Sequence, residues 1–378
     1  MATTTEMMRI PVTIYRGGTS KALFIKDYDL PAEPKLRDKV IAALFGSPDK
    51  RQIDGLGGAD PLTSKLAIIG PPSRPDADVD YNFAQIDITS PTVHYGGVCG
   101  NISAAVGPYA IEEGFVYPKA GETTVRVYNR NIKRIISITV PTPDQTVQFA
   151  GDYAIDGVPG TGAKIELNWA DTAGALTGAV LPTGNRTDYL EVPGLGSVEA
   201  SLVDVGNPGL FVRAEDMGIK GTETPAEMDS DKALLDRCEA VTKVASDKLG
   251  HMAFLTLVAA PADYENHVTR KPAAAEDVDV LVRMIFMGQT HKAYAASQAN
   301  CCGAAAMIPG TIVNSMARKN ISVDGRVRLG HPAGVIEVEV DACIEGDTIR
   351  IPRIAVYRTA RRLMDGFAFV RKEIFASM

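Results

Sequence analysis

The sequence runs to 378 residues, 45% of them hydrophobic, enough to bury a substantial core in one large domain or two of ordinary size. With 39 basic against 46 acidic side chains, a formal charge of −7, and no basic run interleaved with aromatics, it offers no surface for nucleic acid. MATTTEMMRIPVTIYRGG lacks the apolar core of a secretion signal, RIPVTIYR is too short to cross a bilayer, and the five cysteines form no disulfide framework. The expectation is a cytoplasmic protein with reduced thiols and no membrane partner.

In chain order, alternation and β-branched runs predict strands in VTIYRGG and KALFIKD. A helix follows in PKLRDKVIAALFG, with Pro34 in its first turn, Leu36, Val40, Ile41 and Leu44 as apolar positions, and Gly46 as terminator. Next come a strand in DVDYNFAQIDI, a small-residue helix in ISAAVGPYAIEEG, and strands in TTVRVYN, KRIISITVP, SVEASLVDV and LFVRA. Helices are predicted in SDKALLDRCEAVTKVASDKLG and AEDVDVLVRMIFMGQTH, then a second small-residue helix in GAAAMIPGTIVNSMARK, and finally strands in VIEVEVDACIEGDTIRI and FAFVRK. The two small-residue helices are apolar all round, which makes them buried central helices. Each follows a Cys-Gly dipeptide, Cys99-Gly100 and Cys302-Gly303. That repetition predicts a duplicated plan of two α+β domains, each a sheet wrapped around one helix, divided near 184–188 and facing each other across a cleft.

Cofactor fingerprints are missing. Gly160 and Gly162 are followed by Ile165 where a dinucleotide loop needs its third glycine, and there is no phosphate-loop lysine, HExxH or paired CxxC. The five histidines (94, 251, 267, 291 and 331) stand singly, without metal-ligand spacing. An enzyme of this composition is expected to use its own side chains, with no cofactor and no metal.

Six stretches carry polar groups of the right kind. Cys99 stands among glycines at a helix start, where unsatisfied N–H groups favour a thiolate and Gly96, Gly97 and Gly100 let backbone approach an anion. The plain alternative is a packed cysteine in a tight turn. Lys65, in GGADPLTSKLAIIG, directly precedes an apolar strand. Partial burial there lowers a lysine toward neutrality and makes it a usable proton carrier, unless it snorkels from the strand end. Gly17, Gly18, Thr19 and Ser20 in YRGGTSKALF offer N–H donors and two hydroxyls to a carboxylate, or simply close a hairpin. Gly310 and Thr311 in IPGTIVN form a second candidate cradle. His331 in RLGHPAG and His291 in GQTHKAY either face a ligand or sit in the interior.

Taken together, RGGTSKALF, GSPDKRQIDGLGGADPLTSKLAIIG, DADVDYNFAQIDIT, GGVCGNISAAVGPYAIEEGFV, IDGVPGTGA, DTAGALTGAVLPTGN, IPGTIVN, GHPAGVIEVEV and RTARRLMDG run in the order of one family. Along nearly its whole length the chain resembles the cofactor-independent isomerases that include 3-methylitaconate Δ-isomerase, 2-methylaconitate cis-trans isomerase and 4-oxalomesaconate tautomerase, and it is most similar to the first branch. The resemblance implies a diaminopimelate epimerase-like α+β fold, with residues 1–185 as one domain, 186–354 as the other, and a C-terminal strand, about 355–378, returning to the first. It implies Lys65 and Cys99 as the acid/base pair and Ser20 at the substrate. The substrate-binding set expected around them is Gly18, Thr19, Gly100, Asn101, Gly310, Thr311 and His331, with His291 and Cys301 as further candidates. By the same resemblance Cys301 matches the second cysteine of the epimerases. Two departures stand out: GTSKA, with Ala22, replaces the usual GTSKG, and NCCG, with Cys302, replaces ACTG.

The expected reaction is a 1,3-proton shift in a small unsaturated di- or tricarboxylate, of the 3-methylitaconate to 2,3-dimethylmaleate type, in a homo-oligomer. Cis-trans isomerisation of 2-methylaconitate or aconitate, and tautomerisation of 4-oxalomesaconate, proceed through the same delocalised anion. A two-thiol racemase on Cys99 and Cys301, and a non-catalytic carboxylate-binding protein, are the competing readings.

Overall fold

The computed structural model describes residues 6–319, 321, 325–346 and 348–376. Its first strands, Met7–Gly17 and Ser20–Lys26, form an antiparallel hairpin closed at Gly17 and Ser20. Gly18 makes the turn with φ +50°, a conformation that side chains with a Cβ avoid. The helix Pro34–Phe45 begins at Glu33, whose carboxylate accepts from the N–H groups of Lys35 and Leu36, and it ends at left-handed Gly46. It returns the chain so that Lys65–Gly70 lies parallel to Ser20–Lys26, with Ala22 beside Lys65. Val79–Ile86 then pairs antiparallel to that strand, with Lys65 opposite Gln85.

The helix Gly100–Glu112 is buried from Gly100 to Ile111. It can be, because its side chains are small or apolar all round. Gly121–Asn129 and Arg134–Thr142 continue the sheet around it, and Ile165–Asn168 closes this half.

The second half repeats the order. Gly196–Val205 and Asn207–Arg213 form a hairpin, Lys232–Leu249 is the return helix, and Phe254–Ala259 lies parallel to the second hairpin strand with Gly209 beside Phe254. Val280–Phe286 pairs antiparallel to it, Ala296–Met307 is the buried helix, and Arg326–His331, Gly334–Glu345 and Thr348–Arg358 complete the wrap. Thr348–Arg358 also pairs with Ile165–Asn168, so a single sheet of 18 strands among the described residues runs through both halves. The last strand, Ala360–Arg371, pairs with Met7–Gly17.

Three expectations need correction. AEDVDVLVRMIFMGQTH is not a helix: its apolar run Val280–Phe286 is an interior strand bonded on both sides, and β-branched residues suit that setting. GAAAMIPGTIVNSMARK is two pieces, since the buried helix stops at Met307 before Pro309 and a short helix, Ile312–Met316, follows. The dipeptide repeat is also out of register. Cys99 caps its helix, but the second helix begins at Ala296, so Cys302-Gly303 lies well inside it and Ala295 is the true counterpart of Cys99.

Candidate active site

The two buried helices meet at their N-termini. A Cβ on Gly100 would lie 2.6 Å from the backbone nitrogen of Ser297, so only glycine allows this approach. Beside the junction opens a cleft of about 130 Å³, lined on one side by Ser20, Lys65, Gln85 and Cys99 and on the other by Phe254, Phe286 and Ala295.

Lys65 enters from the first residue of its strand and is 5% exposed. Its Nζ donates to Oε1 of Gln85 at 2.6 Å. The Gln85 amide is fixed in that sense because its Nε2 donates to the carbonyls of Pro61 and Ser64. The rings of Phe83 and Phe286 lie 5.4 and 5.9 Å from Nζ. Burial pushes the Lys65 pKa down, opposed by the charges of Cys99 and Asp60. The result is an amine that gives up its proton more readily than an exposed lysine does.

Cys99 is the N-cap of its helix, half-buried, at the positive end of the helix dipole. Its loop is clamped from the other half. Asn207 accepts from the Val98 N–H at 3.0 Å, and its Nδ2 donates to the Val98 carbonyl and to Ser297 Oγ.

The Ser20 hydroxyl is buried in the cleft wall with no partner. Asn101 takes Arg358 Nε at 3.0 Å and the Thr19 N–H on its Oδ1, leaving Nδ2 as the amide's donor to the cleft. His291 also lines the cleft. Burial pushes its pKa down to about 4, with the Lys65 charge acting in the same direction. Its Nδ1 accepts from the Ala293 N–H, so the neutral ring carries its proton on Nε2.

The structure thus gathers Ser20, Lys65, Cys99, Asn101 and His291 around one cleft; Gly18 and Gly100 do not line it but let the chain pack closely behind it, Gly18 against Asn101 and Gly100 against Ser297. It does not bring in the other candidates. Gly310 and Thr311 lie beyond the C-terminus of the second buried helix, about 18 Å from its N-terminal end. There Thr311 is spent on the Ala305 and Ile308 carbonyls and on capping the Asn314 N–H. Cys301 is fully buried in mid-helix and donates to the Val203 carbonyl. Thr19 and His331 face a separate, smaller cavity.

Sequence reading missed Gln85, Asn207 and the aromatic wall. Gln85 and the phenylalanines sit on strands whose pattern signals only burial. Asn207 becomes recognisable once the second hairpin is aligned with the first, where it matches Ser20. Among the described residues no group of three or more His, Cys, Asp or Glu side chains is placed to hold a metal ion, and no helix is long and apolar enough to cross a membrane.

The PrpF protein family matches residues 7–371. A 3-methylitaconate isomerase from Eubacterium barkeri is 48% identical, over 97% of this chain and 98% of its own length. A 2-methyl-aconitate isomerase from Shewanella oneidensis is 37% identical, over 97% of this chain and 98% of its own. A 4-oxalomesaconate tautomerase from Pseudomonas putida is 38% identical, over 97% of each chain. A crystal structure of a methylitaconate-Δ-isomerase superposes with a TM-score of 0.78 at 46% identity, over 97% of both chains. A hydroxyproline epimerase from Agrobacterium vitis shares the fold alone, with a TM-score of 0.58 at 9% identity over 98% of this chain and 93% of its own. The epimerase-like α+β fold expected from the sequence is the one found.

Proposed function

This chain belongs to the PrpF protein family, and on that premise we propose that it is a cofactor-independent isomerase moving a double bond by a 1,3-proton shift in a small unsaturated di- or tricarboxylate, of the 3-methylitaconate type. The observation that carries the reading is a buried lysine and a helix-capping cysteine on one cleft, beside unpartnered donors suited to carboxylates.

In 3-methylitaconate the base takes the proton from the saturated carbon next to a carboxylate. The C–H electron pair moves into the allyl system, and charge collects on the carboxylate oxygens as a dienolate. The acid returns a proton to the terminal methylene carbon, which becomes a methyl group, and the product is 2,3-dimethylmaleate with unchanged composition. Lys65 and Cys99 form the pair, the amine's hold on its proton loosened by burial and the thiol set at the helix N-terminus beside the same cleft. The dienolate is stabilised by the first N–H groups of the Gly100–Glu112 helix, which lack intrahelical partners, and by Ser20 Oγ, Asn101 Nδ2 and the His291 Nε2–H. Phe254, Met284 and Phe286 suit the methyl and alkene carbons. That apolar wall favours the methylitaconate reading over the more polar substrates of the tautomerases.

We take residues 1–185 with about 355–378, and 186–354, as the two domains, a division supported by the pairing of Ala360–Arg371 with Met7–Gly17. A cytoplasmic homo-oligomer fits five unpaired cysteines and a sheet edge carrying exposed Leu363, Phe367 and Phe369.

The test is proton NMR of the purified protein with 3-methylitaconate in deuterium oxide. Deuterium entering the substrate and a growing dimethylmaleate signal are expected. No exchange into methylitaconate, 2-methylaconitate, aconitate or oxalomesaconate at high enzyme concentration would leave only a carboxylate-binding protein.

A further inference from the structure

Next to the cleft, across the Thr19–Ser20 turn, lies a second cavity of about 40 Å³ lined by Thr19, His331 and Arg358. Arg358 and His331 are 6% and 3% exposed. The Arg358 guanidinium gives Nε to Asn101 Oδ1 and Nη1 to the Tyr357 carbonyl, both neutral acceptors, and Nη2 makes no hydrogen bond among the described residues. It has no ion pair among the described residues, a rare condition for an enclosed arginine. His331 accepts the Ala333 N–H on Nδ1, so its remaining nitrogen, Nε2, is a donor. The Thr19 hydroxyl is buried and has no partner. Three donors and one uncompensated positive charge therefore converge on one small space. Two acids also line the cavity, each engaged elsewhere: exposed Asp156 accepts from the Val335 N–H, and half-buried Glu337 lies 3.9 Å from Arg326.

We propose that this cavity is a second anion site, sized for one carboxylate group, in which Arg358 supplies the charge and Thr19 and His331 the further hydrogen bonds. Arg358 suits the task because a planar fork holds a carboxylate better than a point charge does. Two sources offer that chemistry: the third carboxylate of a tricarboxylate bound in the cleft, or a separate small carboxylate. The site stands on its own donors and goes beyond the isomerase reading.

Calorimetry separates the outcomes. Acetate is titrated into the wild-type chain already saturated with succinate, which fills the cleft, and into Arg358→Gln and Thr19→Val chains whose fold is checked by circular dichroism. Acetate is expected to bind the wild type, at least tenfold more weakly to R358Q, and several-fold more weakly to T19V. Tricarballylate, a saturated tricarboxylate, assigns the source. If its affinity falls tenfold in R358Q while that of succinate holds within twofold, the site receives a substrate arm; if both hold while acetate binding is lost, it takes a separate anion. Should R358Q fail to fold, Arg358→Lys, which keeps the charge and loses the fork, takes its place beside T19V. Absence of acetate binding to the wild type, or acetate affinity unchanged within twofold in folded variants, overturns the proposal. Lack of proton exchange with unsaturated acids would count against the isomerase reading and leave the acetate result standing.

Discussion

Around the cleft, the two halves of the molecule place the same backbone and different side chains. Register aligns Ser20 with Asn207, Lys65 with Phe254, Gln85 with Phe286 and Cys99 with Ala295. On the first side stand a buried amine, its amide partner and a thiol. On the second, two phenylalanine rings stack 5.7 Å apart and an alanine caps the helix, while Asn207 turns to hold the Cys99 loop. A symmetric scaffold has thus been made chemically one-sided. The repeated plan supplies two helix ends facing one cleft, and the side chains make one wall polar, with an amine and a thiol, and the other a hydrophobic support that dries the lysine.

The comparison breaks most sharply at Lys65 and Cys99. Lys65→Met and Cys99→Ala should each slow proton exchange by about 10²–10⁴-fold, the usual weight of an acid/base group, whereas Ala295→Ser and Phe254→Leu at the matching positions should cost only a few-fold. Single-turnover exchange by NMR reads both. Comparable losses on the two sides would mean that the halves share the chemistry.

Helix contact gives the next effect. Gly100→Ala forces a methyl group against Ser297 and should destabilise by about 1–3 kcal/mol, while Ala296→Gly, its mate, should cost about 1 kcal/mol through helix propensity alone. Urea midpoints at constant slope measure the pair, and equal losses would show that the closeness of the two helix ends is not specific to glycine.

Phe286→Ala probes the drying role. Burial lowers the Lys65 pKa, so admitting water must raise it toward its ordinary value. Whichever limb of the pH–rate profile belongs to Lys65 should move to higher pH, whether the neutral or the charged amine is the active form. A limb that stays in place would show that the second half does not tune the lysine.

Much of this was legible in the residues. The small apolar helix after Cys99 announced its burial through composition, and Lys65 stood where a turn meets an apolar strand. The asymmetry was harder to read. A strand such as Val280–Phe286 carries no mark distinguishing an interior strand from a helix turn, and Phe286 looks like any core residue until its register places it over Lys65. The Cys-Gly repeat misled for a physical reason: Cys302 is chosen for packing inside a helix, not for a place at its end. Gly310 and Thr311 resembled an anion cradle because capping a short helix uses the same glycine and hydroxyl chemistry as holding a ligand.

The smallest effect is expected at Cys301, and it separates a lysine–thiol isomerase from a two-thiol racemase. Cys301 is enclosed on all sides, its thiol bonded to the Val203 carbonyl, and burial pushes its pKa far above the range in which a thiolate forms. Cys301→Ala should therefore leave exchange within about twofold of wild type while losing stability on the order of 1 kcal/mol for the small cavity created. In a Cys343→Ser background, which removes the exposed thiol, iodoacetamide should modify Cys99 alone, and a bound dicarboxylate should protect it. Rapid alkylation of Cys301 in the folded protein, or loss of exchange in Cys301→Ala, would favour the two-thiol reading and count against Lys65 in the chemistry.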